Sequence, residues 1–283
     1  MAFIILQNRG IMQARHQAIP DTLTRGTLHP LPAGTSVGVL LLHGFTSSLS
    51  AVSGFVPFLT DRGIDYEMPV LRGHNTTPEA LIGVRASDWY DDAYAALEKL
   101  AQRVDRVVIV GLSMGGVTTL QLCAKRHPCS PKIAAAITWA PALAFVNPLA
   151  KLAIPLSHFV KFWHGQDSFR DPECRRKCEN YPKFPTKSFV ELLHYAKETS
   201  EMLDDVEVPL CIVHSERDQV IPYKRSKRLF GDVSSAYVEL HTLHASGHEL
   251  GQDCEANLVF EISIDFIERL IDKASSRCEA SSI

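Results

Sequence analysis

Short apolar runs alternate along the chain with segments whose apolar residues recur every three or four positions. The run from Val37 to Leu42 leads into Gly44, and a continuous apolar run that ends at glycine is typical of a strand buried on both faces. A weaker strand is predicted over residues 66–71, where Pro69 lacks the N–H that a sheet needs. Further strands are predicted over residues 106–110, 132–139, 209–214 and 236–243.

Helical periodicity is clearest between Asp88 and Arg103. Ser87 or Asp88 can cap this segment, and one face of it is apolar, formed by Trp89, Ala93, Ala96, Leu97 and Leu100. Other helices are predicted over residues 55–62, 114–127, 223–230 and 255–272.

Strands that alternate with helices predict an α/β fold, in which a mostly parallel central sheet carries helices on both faces. The alternation stops after Pro141, and proline-rich pieces follow up to about residue 205. Such a stretch is too long for an ordinary loop, so we predict a cap inserted over the carboxyl ends of the strands. The predicted organisation is a leading segment 1–34, a core of 35–141 and 206–275, a cap insertion 142–205 and a tail 276–283.

Composition narrows the class of protein. Apolar residues make up 46% of the chain and charged residues 22%, with a formal net charge of -3, so a packed core is expected and a nucleic-acid partner is not. The apolar run at residues 2–6 is too short for a secretory or membrane-spanning segment, which predicts a cytoplasmic protein without stable membrane insertion. Seven irregularly spaced cysteines predict reduced thiols, with neither a disulfide framework nor a zinc site.

The candidate nucleophile is Ser113, in the sequence Gly111-Leu112-Ser113-Met114-Gly115. This G-x-S-x-G pattern follows a predicted strand and precedes a predicted helix, which is the context of a nucleophile elbow. The flanking glycines suit a turn so sharp that side chains there collide with neighbouring backbone. The alternative is a tight turn that contains an incidental serine.

A serine nucleophile needs a base, and the base needs an orienting acid. In chain order we predict Asp218 as the acid, with Glu216 as its rival in the same loop after a strand. His248 is the predicted base, because Gly247 gives its loop the freedom to turn the imidazole inward. His244 is the second choice, whereas His241 lies within the apolar alternation of a strand.

The loop after the first buried strand, His43-Gly44-Phe45, supplies the third part of the predicted chemistry. Attack on an ester carbonyl creates an oxyanion, and fixed N–H donors stabilise it. We predict the N–H groups of Phe45 and Met114 as these donors, and we expect His43 to shape the loop. We expect the reaction to proceed through an acyl-enzyme on Ser113 and to require no metal or organic cofactor.

Together these motifs resemble the bacterial carboxylesterase and monoacylglycerol lipase family of the α/β-hydrolase fold. The resemblance runs from about Ser36 to Ile271 and is carried by residues 41–46, 72–74, 86–89, 111–116, 215–218 and 246–248. It implies a triad of Ser113, Asp218 and His248, an oxyanion hole of Phe45 and Met114, and short- to medium-chain esters or monoacylglycerols as substrates. One departure is Asn75, which stands where the family often has glycine.

Other activities of the same fold stay open, among them thioester, amide and carbon–carbon bond hydrolysis. A catalytically inactive binding module is the non-enzymatic alternative. A membrane-surface lipase is the third possibility, because the predicted cap is rich in aromatic residues. We expect these residues to line an acyl pocket or to pack the cap. They are Phe145, Phe159, Phe162, Trp163 and Phe169. Substrate-binding residues and oligomeric state are not predicted.

Overall fold

The computed structural model describes residues 21–271, so the run at residues 2–6, the tail and Cys278 lie outside it. Seven strands form one sheet in the order β1-β9-β8-β5-β4-β2-β3. β1 pairs antiparallel with β9, and the other neighbours in this sheet pair parallel. The strands are β1 Thr22–Arg25, β2 Val37–Leu42, β3 Asp65–Glu67, β4 Arg106–Leu112, β5 Ile133–Trp139, β8 Leu210–Ser215 and β9 Val238–Leu243.

Helices cover both faces of the sheet because its central strands are apolar on both sides. Every residue of β2, β8 and β9 is buried, and the buried apolar side chains divide into two clusters, one on each face. The helices are α1 Ser50–Ser53, α2 Val56–Thr60, α3 Ala86–Ala101, α4 Met114–Ala124, α5 Ala153–Leu156, α6 Pro172–Lys177, α7 Thr186–Ser200, α8 Tyr223–Asp232 and α9 Ala256–Ile271. The predicted α/β-hydrolase fold is therefore confirmed.

The predicted strand over residues 66–71 is wrong beyond Glu67, where β3 ends. Pro69 has no N–H to donate. The N–H of Leu71 donates instead to Nε2 of His43 over 3.1 Å, and that of Arg72 donates to Asp92 over 2.7 Å. The segment after β3 therefore leaves the ladder and crosses over the loop that follows β2.

The stretch between β5 and β8 contributes no strand to the seven-stranded sheet. We call residues 142–205 the cap segment. It holds α5, α6, α7 and a separate antiparallel pair, β6 Phe162–His164 with β7 Lys183–Pro185. α7 packs against α3 and α4, and Tyr195 donates to Thr118 of α4 over 3.2 Å. This helix is thus part of the core packing, while Tyr181 and Ser168 of the same segment bond to the backbone of the loops after β2 and β9.

Candidate active site

Ser113 stands between β4 and α4 in a strained backbone conformation, with φ 54° and ψ -112°. Its N–H donates to the carbonyl of Trp139 on the neighbouring strand over 2.8 Å, which holds the turn in place. A Cβ added at Gly115 would lie 2.2 Å from the carbonyl oxygen of Leu42, and one at Gly111 equally close to Gly115. Only glycine fits at these two positions, so the elbow geometry follows directly from the sequence pattern.

The structure brings Ser113, His248 and Asp218 together, although 135 residues separate the first two along the chain. Nε2 of His248 lies 2.8 Å from the Ser113 hydroxyl, and Nδ1 lies 2.8 Å from Oδ2 of Asp218. All three residues are at least nine-tenths buried. A hydroxyl, an imidazole and a carboxylate in this order can pass a proton from the serine to the base.

Asp218 accepts hydrogen bonds from several groups. Oδ1 accepts the N–H groups of Val220 and Ile221 over 2.7 and 2.8 Å. Oδ2 accepts from His248 and from a second imidazole, His214, whose Nε2 lies 2.9 Å away. Burial disfavours the charged carboxylate, but the two imidazoles outweigh it and the pKa of Asp218 lies well below its usual range. Asp218 is therefore ionised at neutral pH.

The loop that carries His248 is tied to the cap segment. The carbonyl of Ser168 accepts the N–H of His248 over 2.7 Å, and a Cβ at Gly247 would lie 2.5 Å from that same oxygen. Asp253 is buried, and its carboxylate accepts the N–H groups of Gly247, Arg170, Asp171 and Cys254. The backbone of the cap segment and that of the histidine loop thus share one buried carboxylate.

The electrostatic surroundings of His248 suit a general base. Burial lowers the pKa of a histidine, but the charge and hydrogen bond of Asp218, together with the charge of Glu249, raise the pKa of His248 above its usual value. The imidazolium that would form when Ser113 loses its proton is stabilised accordingly.

The predicted rival residues lie elsewhere. Glu216 and His244 form an ion pair of 3.1 Å with both side chains about half exposed, so neither is held near Ser113. His241 lies 3.0 Å from Glu239, which also accepts from Arg269 and Tyr237. Cys211 joins Glu239 and His241 in a cluster with the spacing of metal ligands. Because Arg269 already places a guanidinium on both oxygens of Glu239, this cluster does not fit a cation.

The loop after β2 is fixed by His43. Its Nδ1 donates to the carbonyl of Gly44 over 2.9 Å, and its Nε2 accepts the N–H of Leu71, so the ring is neutral. Burial lowers the pKa of His43 to about 4. A Cβ at Gly44 would lie 3.3 Å from that of Ser113, which shows how closely this loop approaches the Ser113 side chain. The N–H of Met114 belongs to the first turn of α4, where helical N–H groups lack intrahelical acceptors.

An aromatic cluster begins at Phe45 and extends into the cap segment. The Phe45 ring lies 5.3 Å from Phe184 and 5.8 Å from Trp89, and Phe189 lies 5.3 Å from Phe184 and 5.1 Å from Phe145. Among the aromatic residues singled out in the cap, Phe145 joins this cluster and Phe169 is buried, whereas Phe159 is 86% exposed. An apolar wall therefore lies beside the candidate oxyanion loop.

Two residues of the site were not predicted from the sequence, His214 and Glu249. His214 is the penultimate residue of β8, and Glu249 follows His248 directly. The available signal was a polar residue at the carboxyl end of a strand that is otherwise apolar, since this edge of a parallel sheet is where sites form.

A serine at a strained elbow, facing an imidazole and a carboxylate on the carboxyl edge of a mostly parallel sheet, defines the α/β-hydrolase class. A family model described as serine aminopeptidase, S33 matches residues 35–255, and the chain belongs to this family.

Relatives and solved structures point the same way. The chain is 29% identical over 236 residues to a thermostable monoacylglycerol lipase of Bacillus sp. (strain H-257), covering 82% of this chain and 91% of that one. It is 24% identical to a carboxylesterase of Bacillus subtilis (strain 168), covering 84% and 94%. A solved structure of a metagenome-derived lipolytic enzyme aligns with a TM-score of 0.77 at 26% identity, covering 89% and 100%. The predicted resemblance is confirmed, and the chain is an enzyme of the hydrolase class.

Proposed function

We propose that the chain hydrolyses carboxylic esters, either short- to medium-chain acyl esters or monoacylglycerols, through an acyl-enzyme on Ser113. The observation that carries this proposal is the continuous path of hydrogen bonds from Ser113 through His248 to Asp218. Relatives named as a monoacylglycerol lipase and a carboxylesterase support esters as the substrate class.

In the proposed reaction His248 takes the proton of Ser113 as the hydroxyl oxygen attacks the ester carbonyl. Asp218 holds the imidazole by its Nδ1 and stabilises the imidazolium. The N–H groups of Phe45 and Met114 stabilise the oxyanion. His248 then gives its proton to the leaving alcohol, and a water repeats the sequence on the acyl-enzyme. The aromatic wall from Phe45 to Phe145 provides apolar surface for the acyl chain.

The test is hydrolysis of p-nitrophenyl esters from acetate to palmitate by the wild type, by Ser113→Ala and by the control Ser234→Ala, whose serine is exposed. We expect the first variant to lose at least about a thousandfold in kcat and the control to match the wild type. The preferred chain length measures the acyl pocket. Equal activity of Ser113→Ala and the wild type would show that Ser113 is not the nucleophile.

A fluorophosphonate probe separates the alternatives, because it labels only an activated serine. Labelling at Ser113 without ester hydrolysis would redirect the search to amide substrates, which the family description names, and to thioesters and carbon–carbon bonds. Failure of both labelling and hydrolysis would support an inactive binding module.

The remaining sequence-based statements stay predictions. They are the cytoplasmic location, the lack of a nucleic-acid partner and the role of residues 142–205 as a cap. No helix within residues 21–271 has the length and apolar character to cross a membrane. Fractionation of cells that express the tagged full chain tests the predicted location.

A further inference from the structure

His214 contacts the orienting carboxylate from a different element than the base does. It lies near the end of β8 and its side chain is fully buried. Its Nε2 is 2.9 Å from Oδ2 of Asp218, and this is the same oxygen that lies 2.8 Å from Nδ1 of His248. One carboxylate oxygen therefore serves two imidazoles, while the other oxygen is occupied by backbone N–H groups of the loop.

The neighbours of His214 fix which nitrogen carries the proton. An ionised carboxylate only accepts hydrogen bonds, so Nε2 of His214 is the protonated nitrogen. Nδ1, on the other side of the ring, lies 2.7 Å from the hydroxyl of Ser226 on α8. Ser226 is buried as well, and the edge of the Tyr223 ring packs 5.7 Å from the imidazole. His214 is thus held on one side by α8 and presents a fixed donor to Asp218 on the other.

We propose that His214 is a positioning residue of the active site, which aims Oδ2 of Asp218 at His248 and takes up part of its negative charge. The proposal rests on the proposed function, because Asp218 affects the reaction only through His248. Without His214, Oδ2 would keep one donor in place of two, and the carboxylate would be free to rotate about its remaining contacts with the loop.

The direction of the effect follows because His214 and His248 both interact with the negative charge of Asp218. Without the hydrogen bond from His214, that charge interacts more strongly with His248, which raises the pKa of the His248 imidazole. The other titratable groups that face the three residues are Glu249 beside His248 and Tyr223 beside His214, and neither is altered in the test. Loss of the His214 donor should therefore move the acidic limb of activity to higher pH.

The experiment compares His214→Phe, which keeps a ring but removes the donor, with His214→Gln, whose amide nitrogen can replace Nε2. His127→Phe is the matched control, since His127 also loses an Nε2 hydrogen bond, to the carbonyl of Leu122, and its ring contact with Tyr94 is kept. The readouts are kcat/KM against pH for a p-nitrophenyl ester and an NMR titration of the His248 ring protons.

We expect His214→Phe to raise the midpoint of the His248 titration by about 0.5 to 1 pH unit and to lower kcat about tenfold. His214→Gln should retain the midpoint of the wild type within about 0.2 units, as should the control. The proposal fails if the Phe variant titrates like the wild type, or if the Gln variant shifts as far as the Phe variant.

The NMR titration needs no substrate. If the wild type hydrolyses no ester, the proposed function fails, yet the midpoints of His248 still decide whether His214 acts on Asp218. If His214→Phe does not fold, His214→Leu takes its place, because it also removes the donor to Oδ2 of Asp218. A His248 midpoint equal to that of the wild type would again overturn the proposal.

Discussion

Ser113 and His214 differ in how far the role of a single residue can be predicted from the sequence. The elbow at Ser113 was predictable because its strained turn requires glycine at positions 111 and 115, and this leaves a readable pattern. His214 leaves a weaker signal, a polar residue near the carboxyl end of an apolar strand, because its bond to Asp218 exists only after β8 and its loop have folded. Asp218 and Glu216 lie in the same loop, so their spacing in the sequence does not distinguish them. The folded structure does, because Asp218 is buried and the Glu216 side chain is about half exposed.

Glu249 allows a prediction at the residue scale. Its carboxyl is buried, Oε1 accepts from Asn180 over 2.9 Å, and Oε2 has no partner among the described residues. Burial raises its pKa above the usual 4.5. Between 4.5 and the raised value the folded state binds more protons than the unfolded state, so stability falls as pH rises and the penalty persists above that window.

Glu249→Gln removes this penalty. We expect its melting temperature to exceed that of the wild type at pH 8 and the difference to shrink or vanish at pH 4. The control is Glu261→Gln at an exposed position on α9. Differential scanning calorimetry at both pH values checks the prediction, and a difference that grows toward acid would contradict it.

At the scale of elements, strands buried on both faces were easiest to predict, because their whole length is apolar. The strand predicted over residues 66–71 was too long, since the bond from Leu71 to His43, which holds this segment away from the sheet, joins residues far apart in sequence. Within the cap segment the sequence indicated only irregular pieces. Its β6–β7 pair has three residues in each strand, too few for an alternation to be recognised.

Asp253 allows a prediction at this scale, because it joins two elements. Asn in its place has one acceptor oxygen and turns an N–H₂ group toward backbone N–H donors. We expect Asp253→Asn to lower kcat about tenfold or more and to raise amide hydrogen exchange in residues 168–171 and 246–249 together. Exchange measured by mass spectrometry checks this.

Asp171→Asn is the matched control for that experiment. Asp171 lies in the same stretch, but its side chain bonds within α6, where it accepts the N–H of Glu173 at the start of that helix. We expect its effect to remain within α6. If Asp253→Asn loosened the cap segment alone and left residues 246–249 protected, the two elements would not be coupled through Asp253.

At the scale of the whole molecule, two buried neutral imidazoles link folding to pH. Burial lowers the pKa of His43 to about 4, and burial with the nearby His43 lowers that of His74 to about 3. Between these values and the ordinary 6.5 the unfolded state binds more protons, so stability falls as the pH decreases. Each group contributes about 1.4 kcal/mol per pH unit within its window.

We therefore expect the urea midpoint to fall steadily from pH 7 to pH 5. His74→Phe removes one of the two titrating groups and should reduce this fall, because the ring contacts of His74 with Phe45, Trp89 and Tyr181 suit a phenyl ring. His158→Gln, at an exposed position, should retain the fall of the wild type. An equally steep fall in His74→Phe would refute the assignment.

Because the carboxylate of Asp253 bonds to both the cap segment and the histidine loop, it limits which segments can be exchanged between this enzyme and its relatives. A chimera cut at residues 142 and 205 would import foreign backbone at positions 168 to 171 while leaving the native acceptor behind. An exchange that keeps the contacts of Asp253 therefore has to include residues 247–254 as well as residues 168–171 of the cap segment. We expect grafts that include both parts to keep His248 beside Ser113, whereas grafts of the cap segment alone should displace His248.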